Sequence, residues 1–505
     1  MKPAVVLIVG LGVPGLLPAL VAARRSPAFI FLAPLIGAAM AAIAAELELG
    51  VGGTLTHWYV IVAVTVNVIA AVWWLVLGRR VKWTSLPWYW SLATVVVEFV
   101  ALVIPLTALR VPVIGRDPNS IWLTHAMLIA GGHNTLVAGL KNPVYAFDNP
   151  DYPPLVPAAS ALAFAFDGLG DLHLSVDMTV LLTCCALGVL GAAVAMAAQK
   201  SRHVTRAGAV TAAGAICLVG FAVSGKFAIS GYTDLLWAAA AAAAVILGLV
   251  LPRGPQNLCL AWICAAAASL TKNEGLTTAL IILVLITFRY LPVRISWRHR
   301  ARPNLRSVGR FALTWLQRAA FLIVPALPGL ASAWLARRIG LPNAFFGTVA
   351  QSALSGRASA TLTAMEPYLK VLPLAAAVTL AGCLAMNADR RRAGFGNPVW
   401  LWAGWALSLG AIFATYVYGT LKISLWLANS VDRTTIFAQL LLYAYIAFWL
   451  VLGLEGALAG RTRTVAEAGA TPADPGLAGP PEQGLAAPEP AFTSMPSARK
   501  ARSTS

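Results

Sequence analysis

The sequence predicts an all-α, polytopic membrane protein built as a helical bundle of about thirteen spans. Its 505 residues are 59% hydrophobic and only 11% charged, whereas about a quarter of the residues in a soluble domain are charged. The apolar residues form continuous blocks of roughly 20, the length that crosses a bilayer core as a helix. Because these blocks do not alternate between apolar and polar residues, the pattern does not favour a transmembrane β-barrel.

The apolar blocks define the predicted spans in order along the chain. They are 4–23, 27–46, 58–78, 88–109, 175–198, 207–224, 233–251, 258–271, 275–291, 311–335, 367–388, 398–420 and 434–457. The first block is too long for the apolar core of a cleavable signal peptide, so we interpret it as a span. The segment 153–167 begins YPPLVP, and its prolines and its length of about 15 residues favour a re-entrant or half-depth segment.

Basic residues predict the orientation of the chain. The net charge of +18 comes from Arg and Lys clustered in short segments between apolar blocks, which is the positive-inside pattern rather than a nucleic-acid-binding surface. We therefore expect a multi-pass protein of the cell membrane, with these clusters on the cytoplasmic side and no nucleic-acid partner. The six cysteines lie within or beside apolar blocks and are expected to be packing residues. The Ala- and Pro-rich tail, 458–505, is expected to be disordered.

The polar residues that this topology leaves unexplained fall on the non-cytoplasmic side. Charges near a bilayer core cost about 2.5–3.5 kcal/mol each and usually have a partner or a function. Their common side predicts one external cavity. These residues are Asp117, His125, His133, Asp148, Asp151, Lys226, Asp234, Lys272, Glu274, Glu366, Lys422, Asp432 and Arg433.

The longest external connection, 110–152, is the first candidate for the wall of that cavity. Its residues 119–140 are predicted to form an amphipathic surface helix, with His125 among polar neighbours. Asp117 precedes this helix and is either an N-cap or a chemically active carboxylate. Asp151 and Tyr152 lie in AFDNPDYPPLVP, where acidic residues also suit turns.

Three shorter segments carry the other candidates, and each has a structural alternative. Asp234, in SGYTDLLW, is either a helix cap or a site residue. Lys272 and Glu274, in SLTKNEGL, are either solvated turn residues or part of a site. Arg433, in NSVDRTTIF, either neutralises a neighbouring cap or holds a phosphate through its two-pronged guanidinium.

Taken together and in this order, Asp117 with IW, DYPPLVP, GYTDLL, LTKNEGL and SVDR resemble the GT-C integral-membrane glycosyltransferases. These are protein O-mannosyltransferase-like and related bacterial enzymes that use polyprenyl-phosphate sugars. The resemblance covers about 88–457, so that 1–87 would be additional N-terminal transmembrane helices. It implies that Asp117 is catalytic and that Arg433 and Lys272 bind the donor phosphate. By the same resemblance, Asp234, Glu274, His125, Asp151 and Tyr152 contact substrate or support those residues. One departure is His125-Ala126, where the family often has a Lys-Ala pair.

The resemblance implies transfer of a sugar, with inversion, from a polyprenyl-phosphate-linked donor in the membrane lipid to a hydroxyl. The acceptor would be a glycan, a lipid or a protein of the cell envelope. No cofactor is assigned. A divalent metal ion between Asp117 and Asp234 is an alternative that two oxygen ligands are too few to establish. Two other functions stay open, a transporter or flippase of a lipid-linked sugar and a non-catalytic scaffold. A transporter would favour internal repeats and a mid-membrane site.

Overall fold

The computed structural model is all-α throughout the residues that it describes, in agreement with the predicted class. The description covers 2–23, 26, 28–76, 88–108, 115–146, 148–167, 173–199, 205–291, 305–342, 349–392 and 394–450. The predicted disordered tail at 458–505 and several of the basic clusters lie outside these ranges. Residues up to 457 form one compact unit, in which the helices before residue 88 pack against the rest.

The helices are numbered here in chain order. The first half of the chain contains α1 (Pro3–Ala23), α2 (Ala28–Val51), α3 (Leu55–Val76), α4 (Trp88–Ala108), α5 (Thr124–Ala130), α6 (His133–Lys141), α7 (Leu155–Asp167), α8 (His173–Gln199) and α9 (Arg206–Ile229). The second half contains α10 (Asp234–Val250), α11 (Pro255–Ser269), α12 (Asn273–Tyr290), α13 (Leu305–Ile323), α14 (Leu327–Arg338), α15 (Leu354–Met365), α16 (Leu372–Arg392), α17 (Pro398–Tyr418), α18 (Ile423–Thr434) and α19 (436–450).

Ten helical segments in the described ranges are long and apolar enough to cross a membrane, which makes the chain a multi-pass membrane protein. The count rises to eleven if the pair Gln351–Leu369 and Leu372–Leu384, bent by 59°, forms one span. The two other predicted spans correspond to α10 and α11, which are shorter than the roughly 20 residues that a bilayer requires. The thirteen-residue helix α7 is also too short to cross, and it is buried among the other helices.

The alanine-rich helix α10 forms the centre of the bundle. Nearly every one of its side chains is fully buried, including Trp237 and the run of seven alanines from 238 to 244. Small side chains let membrane helices approach closely and pack by van der Waals contact. Here α8, α9, α11 and α12 all pack around α10. The sequence therefore places Asp234, the first residue of α10, at the end of the most tightly packed helix.

A tight connection between α11 and α12 brings Lys272 to the same end of the bundle as Asp234. Only Leu270, Thr271 and Lys272 separate the two helices, and the Leu155 amide donates a 2.9 Å hydrogen bond to the Leu270 carbonyl. Gly275 allows the turn, because a Cβ at this position would overlap the Ala268 carbonyl and lie 3.2 Å from the Trp237 Cβ. The approach of the two backbones thus requires glycine.

The loop that contains 115–146 differs from its prediction. The segment 119–140 does not form one surface helix, because the chain breaks at Gly131 and Gly132 between α5 and α6, with Gly132 at a φ of 84°. The first half is a π-helical turn, Pro118–Leu123, followed by α5. It buries Ile121, Trp122 and Ile129 inside the protein, because its apolar face is wide enough to pack on α7 rather than on lipid.

Replacing Gly275 by Ala is expected to destabilise the protein by about 1–3 kcal/mol, because the added methyl group forces α11 and α12 apart. Thermal unfolding of the purified protein in detergent would show a lower Tm. Gly410, in α17, provides the matched control, because a Cβ there meets open space and Ala is the better helix former. Equal Tm values for the Gly275→Ala and Gly410→Ala variants would contradict the close-approach argument.

Candidate functional site

A cleft of about 360 Å³ gathers five of the eight residues to which the resemblance gives a role in the site. Asp117, Tyr152, Lys272, Glu274 and Arg433 all line it, although they come from separate parts of the chain. Asp234 lies directly behind this wall, in contact with both cations. Asp151 also lies close by, next to Tyr152. These side chains therefore share one cleft or its immediate surroundings.

The shortest contact in the cleft joins Asp117 to Arg433. Nη1 of Arg433 donates to Oδ2 of Asp117 across 2.6 Å, although the two residues are 316 positions apart in the chain. Asp117 occupies the N-cap position of its π-helical turn, but its side chain makes no capping hydrogen bond. Its side chain is 29% exposed. The carboxylate is thus directed toward the cleft and its cation, and the local cap interpretation is not supported.

The guanidinium of Arg433 is fixed by several neighbours at once. Nε and Nη2 donate to the Asn429 carbonyl, one turn earlier in α18, across 3.2 and 2.9 Å. The guanidinium carbon lies 4.5 Å from the centre of the Tyr232 ring, a distance at which cation and aromatic face attract. Nη1 also lies 3.5 Å from Oδ2 of Asp234. Arg433 therefore contacts two carboxylates with the same nitrogen.

A second, more deeply buried ion pair lies behind the first. Nζ of Lys272 donates to Oδ1 of Asp234 across 2.8 Å, with side-chain exposures of only 7% and 2%. Glu274 is a weaker partner, with its Oε1 at 3.6 Å from the same ammonium. Lys272 is thus not a solvated turn residue. The N-cap of α10 is Thr233, whose side chain makes no capping hydrogen bond, and the Asp234 carboxylate is paired with Lys272. Both structural alternatives give way to one buried network.

The carboxylates around Lys272 keep its ammonium charged. Burial opposes the charge, but the nearby carboxylates of Asp234 and Glu274 outweigh it and hold the Lys272 pKa well above its ordinary value. A lysine with a raised pKa stays protonated throughout the neutral range. The network therefore presents two permanent cations, Lys272 and Arg433, to the cleft.

Aromatic and polar contacts attach the external loop to the α11–α12 connection. The Tyr152 ring stacks on Trp122 with their centres 5.6 Å apart and lies 5.7 Å from Nζ of Lys272. Oδ2 of Asp151 accepts a 3.1 Å hydrogen bond from Nδ2 of Asn273. Asp151 and Tyr152 thus hold the loop next to Lys272. Asp151 itself does not line the cleft.

His125 is the predicted site residue that the structure places elsewhere. It is buried, with 5% of its surface exposed, and it lines a separate and much smaller cavity together with Glu46 and Ser332. Among the described residues its Nε2 has no hydrogen-bond partner. Burial lowers the pKa of His125 to about 4, so the imidazole is neutral at pH 7. His125 lies in the protein interior because α5 faces inward.

Several residues of the site were not predicted from the sequence. Tyr232 precedes Asp234 in the same GYTD motif, and Asn429 precedes Arg433 by one helical turn. Their spacing from the predicted site residues could therefore have identified both. Nothing in the sequence pattern identified Arg357. It donates to the carbonyls of Tyr416, Val417 and Leu421 at 2.7, 2.9 and 3.0 Å. These bonds fix the turn between α17 and α18, and hence the start of the helix that carries Arg433.

The carboxylates of the cleft pair with cationic side chains. Within the described part of the chain, no group of three or more His, Cys, Asp or Glu residues is arranged to hold a metal ion. The two carboxylates that the sequence suggested, Asp117 and Asp234, share the guanidinium of Arg433 instead. A cationic side chain thus lies where a bridging cation would have to bind.

Comparisons of this chain with protein families, with curated proteins and with solved structures find no match. Because a fold alone does not define an activity, the functional argument depends on the geometry and charge of the cleft itself.

Replacing Lys272 by Met should destabilise the protein by about 3–5 kcal/mol, because it leaves the buried Asp234 carboxylate without its nearest partner. A lysine with a raised pKa stabilises the fold below its unfolded pKa of about 10.4, and this contribution is lost only as the pH rises through the folded value. The Tm difference between wild type and variant should therefore not decrease as the pH rises from about 6 to about 9.

The matched control for that variant is Lys422→Met, which removes an exposed lysine at the start of α18. It should change the stability by less than about 0.5 kcal/mol. A Lys272→Met variant as stable as Lys422→Met would show that the Lys272–Asp234 pair does not stabilise the fold.

Acid should destabilise the protein through His125. Below its ordinary pKa of about 6.5 the unfolded chain takes up a proton that the folded protein, with a His125 pKa of about 4, does not accept. The free energy of unfolding therefore decreases as the pH is lowered, and at pH 5 it is about 2 kcal/mol smaller than at neutral pH. Thermal unfolding at a series of pH values should show this loss in wild type and not in a His125→Leu variant. Parallel curves for the two proteins would refute the buried neutral imidazole.

Proposed function

We propose that the protein is a membrane glycosyltransferase that moves a sugar from a polyprenyl-phosphate donor to an acceptor hydroxyl, with inversion at the anomeric carbon. The observation that carries this proposal is the 2.6 Å contact between Asp117 and Arg433 in a cleft also lined by Lys272. A carboxylate suited to accept a proton thus lies beside two cations suited to hold a phosphate, which are the groups that this reaction needs.

The shape and lining of the cleft support an amphiphilic donor. The lining is divided between charged or polar side chains and apolar ones, which include Ile412, Leu421, Leu425 and Trp426 from α17, α18 and the turn between them. A polyprenyl-phosphate sugar has the same division, with a hydrocarbon chain attached to a charged and hydroxylated head. The volume of about 360 Å³ is within the usual range for small-molecule sites.

The proposal includes a topology. The short helices α10 and α11 and the bent pair at 351–384 complete a count of thirteen spans, and the basic clusters lie in the cytoplasm. The cleft then opens on the non-cytoplasmic face of the cell membrane, and α7 ends inside the bundle. A lipid-linked donor reaches this face from the bilayer, while the glycan, lipid or protein acceptor reaches it from outside.

The proposed reaction is a single displacement. Asp117 takes the proton of the acceptor hydroxyl while the hydroxyl oxygen forms a bond to the anomeric carbon. The bond between that carbon and the phosphate oxygen breaks, and polyprenyl phosphate departs with the bonding electron pair. Arg433 and Lys272 stabilise the charge that grows on this phosphate. Because the leaving group departs as an anion, a second carboxylic acid is not required, in contrast to a glycosidase.

Replacing Asp117 by Asn should lower the transfer rate by roughly 100- to 10,000-fold, because the amide cannot accept the proton. The assay uses purified protein with a panel of radiolabelled polyprenyl-phosphate hexoses and pentoses and an envelope extract as the source of acceptors. The measured quantity is sugar transferred with release of polyprenyl phosphate. An Asp117→Asn protein with wild-type turnover would refute the role of Asp117.

A matched control is Glu366→Gln, an acid-to-amide change at an exposed residue away from the cleft, which should retain wild-type turnover. The same donors in sealed vesicles separate transfer from transport. Movement of the intact donor across the bilayer without release of polyprenyl phosphate would favour a flippase and contradict the transferase.

A further inference from the structure

The two carboxylates that contact Arg433 differ in their freedom to move. Asp234 is almost completely buried, with 2% of its side chain exposed, and Lys272 holds its other oxygen at 2.8 Å. Asp117 is 29% exposed and lines the open cleft. Asp117 can therefore rotate into solvent, whereas Asp234 cannot leave without abandoning a buried lysine. Arg433 has one permanent and one exchangeable anionic partner.

The charge balance of the cluster opposes simple addition of a phosphate. Asp117, Asp234 and Glu274 carry three negative charges, against two positive charges on Lys272 and Arg433. The five side chains together leave one negative charge. A phosphate brought to Arg433 would meet this excess at close range, in a partly buried site where charges are poorly screened. Removing one carboxylate from the guanidinium relieves the conflict.

Nη1 is also the Arg433 nitrogen that is bonded to the more exposed of the two carboxylates. Nε and Nη2 of Arg433 are directed to the Asn429 carbonyl, whereas Nη1 donates to Asp117. When Asp117 moves away, the N–H group of Nη1 is free to donate to a phosphate oxygen. Oδ2 of Asp117 is then free to accept a proton. One movement thus creates both a phosphate site and a proton acceptor.

We propose that the donor phosphate and Asp117 compete for Nη1 of Arg433, so that donor binding releases the carboxylate for the acceptor hydroxyl. This inference rests on the proposed transferase function. Before the donor binds, Oδ2 of Asp117 is occupied by the hydrogen bond from Arg433. The donor must therefore bind first and the acceptor second. In this scheme Asp234 is a positioning residue, because it keeps Arg433 in place while the partners on Nη1 exchange.

The test measures binding of a polyprenyl phosphate without a sugar, such as farnesyl phosphate, to the full-length protein in detergent. Competition means that removing the carboxylate strengthens phosphate binding while it abolishes transfer. The Asp117→Asn variant should bind farnesyl phosphate at least about fivefold more tightly than wild type, within the usual range of coupling between two ligands. Farnesol, which lacks the phosphate, should bind both proteins equally.

Asp148→Asn controls for charge alone, because Asp148 lines the same cleft and its loss removes one negative charge there. Competition predicts that this variant gains less than half of the affinity change of Asp117→Asn. Asp117→Ala provides a second variant, and retention of the wild-type Tm identifies whichever protein is properly folded.

The outcomes separate the inference from the function on which it rests. Equal or weaker binding of farnesyl phosphate by Asp117→Asn, or an equal gain with Asp148→Asn, overturns the competition and leaves the transferase proposal standing. Failure of wild type and both Asp117 variants to bind farnesyl phosphate more tightly than farnesol overturns both.

Discussion

The buried contact between Asp234 and Lys272 is the interaction on which the rest of the cleft depends. An unpaired charge in such apolar surroundings costs several kcal/mol, so each ion is stable only because the other is present. Arg433 joins this pair through Asp234, and Asp117 joins through Arg433. Four charged residues from four distant segments thus form one chain of contacts, and the outermost member is the only one with substantial exposure.

Tight helix packing is what buries Asp234 and Lys272. Because alanines fill the middle of α10, its neighbours approach closely and close off its first turn from solvent. Gly275 does the same for the α11–α12 connection, where the backbone passes against the Ala268 carbonyl. Small residues far from any reacting atom therefore set the burial of Asp234 and Lys272. Packing and electrostatics are therefore linked in this site, because looser packing would let water reach the Asp234–Lys272 ion pair.

The sequence grouped several charged residues that the structure brings together, but it did not predict their partners. Charges that end apolar blocks must lie near the membrane surface, and this argument alone brought Asp117, Lys272 and Arg433 into one expected cavity. It did not predict which carboxylate meets which cation, because that depends on helix rotation and side-chain rotamers. The count of about thirteen spans and the outward-facing cleft stay predictions, because length and hydropathy alone do not fix where a membrane lies. His125 was misplaced for a related reason: a helix with a wide apolar stripe can face lipid or protein, and its pattern does not distinguish the two.

The N-terminal helices acquire a structural role from their contacts with the external loop. A ring nitrogen of His133, at the start of α6, lies 2.7 Å from the Glu48 carbonyl near the end of α2. Glu46, on the same helix, faces the small cavity that His125 lines. Because the loop continues from Asp117 through α5 and α6 to Tyr152, α2 restrains its far half. The loop is thus fixed by α2 on one side and by the Asp151–Asn273 hydrogen bond on the other. Restraint at both points therefore holds the half of the loop that carries Tyr152 against the bundle, next to Lys272.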